Sequence, residues 1–270
     1  MVETKYDLEE LLKHQEHIIT DTEDCKRDAD RCADAWEKLY IPYFLQSEFW
    51  KDCDYSKAAR KGFFEFEDCS ISGDVVFNFG KDKKFKRNQK FEYFQCLLCR
   101  YYGHNEAQQY LQELEYCNQL NYSIYNMSLM PVTGGLNNFK GINKNMNESN
   151  GQKLDRPDKF LYYLKGFYNN KSTEHIIFSN THGRNSKSGT AEENTEKLKN
   201  SLFNFLSKFQ NIEDYCKHMY LIDDEEYIKK LIESGQQPIE NGADVVRYMH
   251  LAEQYWFMKY NKIKQSYREH

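Results

Sequence analysis

The sequence predicts a mainly α protein of the α+β class, with a helical C-terminal half and a small antiparallel β element near residues 62–79. Three observations carry this expectation. Cys25, Ala29, Cys32, Trp36, Leu39, Tyr40 and Tyr43 recur at three- and four-residue steps with charged residues between them, and similar stripes fill most of the chain; this is the pattern of amphipathic helices. Apolar and polar residues alternate in Phe64-Glu65-Phe66-Glu67 and again over Val75–Phe79, with Ser72-Gly73-Asp74 between the two runs as a hairpin turn. Helix punctuation falls at Gly103, Pro157 and Gly235.

Taken in order, residues 6–19 form a first helix on the apolar face Leu8, Leu11, Leu12, Ile18 and Ile19. The second helix, carrying the Cys25–Tyr43 stripe, ends or kinks at Pro42, which has no N–H for the helical ladder. After the hairpin, residues 91–102 and 106–120 read as two helices separated by Gly103. The Asn-rich run 142–153 and the run 180–194 read as exposed loops. Between them Asp155-Arg156-Pro157-Asp158 opens a helix: Asp155 caps it, Pro157 suits its first turn and Asp158 complements its dipole. Leu198, Leu202, Phe205, Leu206 and Phe209 mark the next helix. Ile212–Tyr220, Glu225–Ser234 with Gly235 as a stop, and Val245–Ile263 complete the chain, and the acids Asp223–Glu226 read as a helix start. The expected organisation is an N-terminal region 1–120 with the hairpin and a helical region 121–270, as two packed lobes or one compact domain.

With 270 residues, 40% hydrophobic and 29% charged, the chain is expected to fold around a substantial core. A net charge of −5 argues against a protein coated in basic surface. It leaves a local patch, Lys81, Lys83, Lys84, Lys86 and Arg87, where phosphates could bind and Phe85 or Phe91 could stack on a base. A solvated hairpin end explains that patch more simply. No window approaches the roughly 18 apolar residues of a membrane span, and the N-terminus has no apolar signal core. A soluble, cytoplasmic protein without a membrane partner is expected. The eight cysteines, at 25, 32, 53, 69, 96, 99, 117 and 216, then read as reduced, mostly structural thiols. The Cys96–Cys99 pair reads as two buried residues of a helix, since further ligands at zinc spacing are missing.

No GxSxG, phosphate loop, GxGxxG or HExxH motif occurs, and His175, His182, His218 and His250 make no HxH or HxxxH pair. Kinase, P-loop, α/β-hydrolase, dinucleotide-binding and zincin chemistries are therefore not expected, and neither a cofactor nor a metal is assigned. The candidate site is the run YNMSLMPVTGGLNNFKG, Tyr125–Gly141. Gly134-Gly135 permits close backbone approach, and Asn137, Asn138 and Lys140 present amides and a cation. Together with Asp155, Arg156 and Asp158 these suit an anion or nucleotide pocket in which Arg156 grips a phosphate or carboxylate in bidentate fashion. They suit equally an arginine–acid pair that ties a turn to a helix.

The segments NMSLMPVTGGLNNFKG, DRPDKFLYYLKGFYN and NIEDYCKHMYLIDD, spread over roughly residues 120–260, resemble a family of bacterial proteins that has no established activity to transfer. The expected function is thus an intracellular binding or interaction protein, of the bacterial accessory or defence type, with ligand and partner unknown. The chain is also similar to HNH-type endonucleases in His104, Asn126 and the run Leu136–Lys140. That resemblance implies an alternative, a metal-dependent nuclease using His104, Asn126 and Asn138. It departs from the family pattern in that His104 follows Tyr102-Gly103 at a helix break and the acidic–His pair is missing.

Overall fold

The computed structural model describes residues 7–18, 32–67, 69–79, 89–132, 157–172 and 190–268. Lys81–Arg87, Asn137, Asn138, Lys140, Asp155, Arg156 and the loop 142–153 lie outside the described residues.

The fold is mainly helical with a small three-stranded antiparallel sheet. Helix α1 is Leu8–Ile18. Helix α2 is built from Ala33–Ala35, a wide turn Trp36–Tyr40 and Ile41–Leu45. A short α3, Ala58–Lys61, leads into strands β1, Phe63–Phe66, and β2, Cys69–Val75. Helices α4, Gln89–Tyr102, and α5, Gln108–Gln119, follow, and then strand β3, Met127–Val132. The rest is helical: α6 Pro157–Asn170, α7 Ala191–Leu206, α8 Ile212–Tyr215 with a wide turn Cys216–Tyr220, α9 Glu225–Gly235 and α10 Gly242–Arg268.

The hairpin exists, but its turn is displaced from the expected place. Phe64 pairs with Ile71 and Phe66 with Cys69, so the chain reverses at Glu67, which adopts a positive φ of 49°. Ser72-Gly73-Asp74 is strand, paired with Met130, Leu129 and Ser128 of β3. Strand β3 was not expected, because it does not alternate. Met127, Ser128, Leu129 and Met130 are all buried, so the strand is covered on both faces and reads as a continuous apolar run. Pro131 fits there because β3 is an edge strand among the described residues, and one lost N–H breaks no interior ladder.

Past β2 the chain runs through Val76, Phe77, Asn78 and Phe79 without entering a strand, although these residues are buried. Side chains satisfy their backbone. Phe77 N–H donates to Asn126 Oδ1 (2.9 Å) and Phe79 N–H to Asn121 Oδ1 (2.8 Å). Asn126 Nδ2 donates to the carbonyls of Phe77 and Asn121, both at 2.6 Å, and the Trp256 indole donates to Asn126 Oδ1 at 2.9 Å. One fully buried amide thus ties the β2 exit, the turn before β3 and helix α10 together.

Other helix ends explain themselves locally. Thr190 and Glu193 close a capping box at the start of α7, so residues 190–194, expected within a loop, begin a helix instead. Asp224 caps α9 through Tyr227 N–H (2.9 Å), the helix-start role expected of that acidic run. Helix α9 ends at Gly235 as expected, and the glycine has a packing role as well. A Cβ there would lie 2.2 Å from the Asp158 carbonyl oxygen, so glycine lets α9 press against the backbone of α6. Gly235→Ala is expected to destabilise by about 1–3 kcal/mol, since backbone rather than a flexible side chain must give way. An unchanged urea midpoint would contradict that packing.

Candidate functional site

Helix α2 and helix α10 enclose a cavity of about 280 Å³, closed at one side by Leu221. From α2 come Lys38, Leu39, Tyr40, Pro42, Tyr43 and Gln46, and from α10 Lys259, Lys262 and Ile263. Two irregular turns shape its walls. In α2 the Ile41 N–H bonds the Trp36 carbonyl, five residues back. Pro42 accounts for this: in a regular helix its ring would press on the Lys38 carbonyl, and it has no N–H to donate. The widened turn carries the chain past that conflict. Such π turns recur at functional positions.

The opposite wall repeats the device. The Leu221 N–H bonds the Cys216 carbonyl, and Leu221 itself adopts φ 58°, ψ 37°, a left-handed conformation unusual for a branched side chain. The reversal there takes the Tyr220 carbonyl out of the helical ladder. It accepts the Tyr255 hydroxyl at 3.0 Å and the Lys259 amine at 3.3 Å instead.

Lys259 is 1% exposed. Besides the Tyr220 carbonyl, its amine has the rings of Tyr255 and Tyr40, with centroids 5.7 and 5.9 Å away. No carboxylate among the described residues pairs with it. Burial, reinforced by the charge of Lys262, holds its pKa well below the ordinary lysine value. The rim is different: Lys38 pairs with Asp34 at 2.9 Å and Lys262 with Asp223 at 3.0 Å, both partly exposed. The cavity therefore combines apolar walls, two lysine–carboxylate pairs at its edge and one buried amine.

Of the expected site residues, Asp158, Asn126 and His104 fall among the described residues, and none of them lines this cavity. Asp158 is fully buried in the first turn of α6, under Gly235, and raises the phenol pKa of Tyr220 and Tyr227 beyond the larger effect of their burial. Asn126 is fully buried with its amide engaged on both sides, which makes it a structural pin; no part of it faces solvent for catalysis. His104 is exposed in the turn after α4, so His104 and Asn126 share no surface. Asn137, Asn138, Lys140, Asp155 and Arg156 are outside the described residues. Cys96 is exposed, in contrast to the buried pair expected, and with Cys99, Cys53, Cys117 and Cys216 it is a free thiol; Cys32 is disulfide-bonded, which corrects the expectation of reduced thiols for that residue.

Lys259 was missed, though its position carries a signal. Ala252, Tyr255, Trp256, Tyr260 and Ile263 form the inward stripe of α10, and Lys259 occupies a step of that stripe where an apolar residue is the norm. The cavity had no signal, because it joins residues 38–46 to 259–263 across two irregular turns. No helix of the described residues is long and apolar enough to cross a membrane. Comparison with protein-family models, with curated proteins and with solved structures finds no match.

Proposed function

We propose that this protein binds a small, largely apolar molecule carrying an acidic group, held in the cavity between α2 and α10 with that group on Lys259. The observation that carries this reading is a fully buried lysine, with no carboxylate partner among the described residues, on the wall of an apolar cavity. A buried amine alone is costly in its charged form. A carboxylate entering the cavity stabilises the charged form of the amine: Lys259 takes up a proton from water as the anion binds, and a buried ammonium–carboxylate pair replaces the unpaired amine. Leu39, Tyr43 and Ile263 supply the apolar contact for the rest of the molecule.

The test compares octanoate with 1-octanol by isothermal titration calorimetry. Octanoate is expected to bind about tenfold or more tightly than the alcohol, the size of one charge-assisted hydrogen bond. Lys259→Met should abolish that preference while leaving the alcohol's affinity nearly unchanged. Equal binding of acid and alcohol to the unaltered protein would refute the assignment.

A further inference from the structure

A second cluster, independent of the cavity, lies where α5 meets α10. We infer that Glu113, His250 and Glu253 form a binding site for a divalent transition-metal ion, Zn²⁺ in first place. His250 and Glu253 are three residues apart on α10 and so share a helix face, and Glu113 meets them from α5. One ligand atom from each residue lies within 4.8 Å of the other two, and His250 Nε2 is 3.5 Å from Glu113 Oε1. A single ion at ordinary coordination distances of roughly 2 Å can reach all three with small side-chain adjustments.

Burial points to a ligand at this place. Glu113 is 6% exposed and Glu253 3%, yet Oε1 of each is buried without a hydrogen-bond partner among the described residues. Two carboxylates turned toward one another away from water need a positive charge or a proton between them. The cluster meets solvent through His250. His250 is half-exposed and lines an open groove of about 510 Å³ with Lys230, Gln237, Arg247 and Gln254. A bound ion would keep its remaining positions for water on that side.

The donor set selects the kind of ion. One imidazole and two carboxylates suit the borderline ions Zn²⁺ and Mn²⁺, whereas Mg²⁺ and Ca²⁺ favour all-oxygen sites. Of the first two, Zn²⁺ binds such a set more tightly.

Zinc chloride and magnesium chloride are titrated separately into the full chain by calorimetry. The chain carries Cys96→Ser and Cys99→Ser, so that the exposed Cys96 and half-buried Cys99 thiols do not capture zinc. One Zn²⁺ per chain is expected, with much weaker Mg²⁺ binding. His250→Ala, at a half-exposed position that the core does not need, should weaken Zn²⁺ about tenfold or more, as should Glu113→Gln. Zinc should also raise the melting temperature of the parent protein, and that of His250→Ala less at the same zinc concentration. If Glu113→Gln does not fold, His250→Ala decides alone. Absence of zinc uptake by the parent at millimolar concentration overturns the proposal, as does a zinc affinity that His250→Ala leaves intact.

Discussion

Asn126→Ala is expected to cost about 3–5 kcal/mol of folding stability, among the largest effects of any single substitution in this chain. The reason is the number of groups it leaves without partners. The Phe77 N–H and the Trp256 indole lose their acceptor, and the carbonyls of Phe77 and Asn121 lose their donor. Each buried orphan costs about 1–3 kcal/mol, and relaxation of the loop offsets part of the sum. Asn126→Asp is the informative companion. It keeps the acceptor oxygen but sets a second oxygen against two carbonyls, so it should be destabilised nearly as strongly. Chemical denaturation of both variants checks this, and a loss under about 1 kcal/mol for either would mean that the latch contributes little.

Lys259→Met should move stability the other way, raising it by about 2–4 kcal/mol near neutral pH. Methionine fills the same volume among Tyr40, Tyr220 and Tyr255 without an amine to desolvate. The effect carries a pH signature. Burial depresses the folded-state pKa of Lys259 below its unfolded value of roughly 10.5, so the unfolded chain binds more protons in the window between the two. The stability of the unaltered protein gains from this group as pH rises through that window, and the full cost is present below it. The advantage of Lys259→Met is therefore largest at low pH and shrinks toward zero as pH approaches about 10.5. Tyr40, Tyr220 and Tyr255 face the amine, and Lys262 acts on it from the rim, but none of them changes in the substitution. Melting temperatures measured across pH 6–10 read the trend. A difference that stays constant with pH would mean that the amine is charged throughout, solvated by carbonyl and ring faces alone.

How much of this was legible depended on how local each feature is. The helices at 89–102, 108–119 and 225–235 follow from stripes and punctuation within themselves, and Gly103 marks its break with a φ of 78°. The hairpin was legible through Phe64-Glu65-Phe66, but Ser72-Gly73-Asp74 resembles a turn and is a central strand, because tertiary pairing with β3 outweighs turn preference. Strand β3 was hidden by burial on both faces. The cavity depends on an extra residue in each of two helical turns, and periodicity is blind to an irregularity that shifts phase without changing composition. Glu113 lies some 140 positions before His250, so the cluster has no sequence spacing to detect. Lys259 and Glu253 each place a charge on an otherwise apolar helix stripe. Such local violations are expected where function outweighs stability.

All three tryptophans of the chain are buried: Trp36 and Trp50 within the aromatic cluster around Phe44 and Phe64, Trp256 at the Asn126 latch. The protein therefore carries its own optical reporters, one pair in the N-terminal cluster and one where the halves of the chain meet. Intrinsic fluorescence starts from wholly desolvated indoles, so any opening of the structure shifts the emission to the red. Because the reporters are few and separately placed, replacing Trp256 by phenylalanine leaves a signal from the N-terminal cluster alone, and the difference isolates the moment at which the latch lets go.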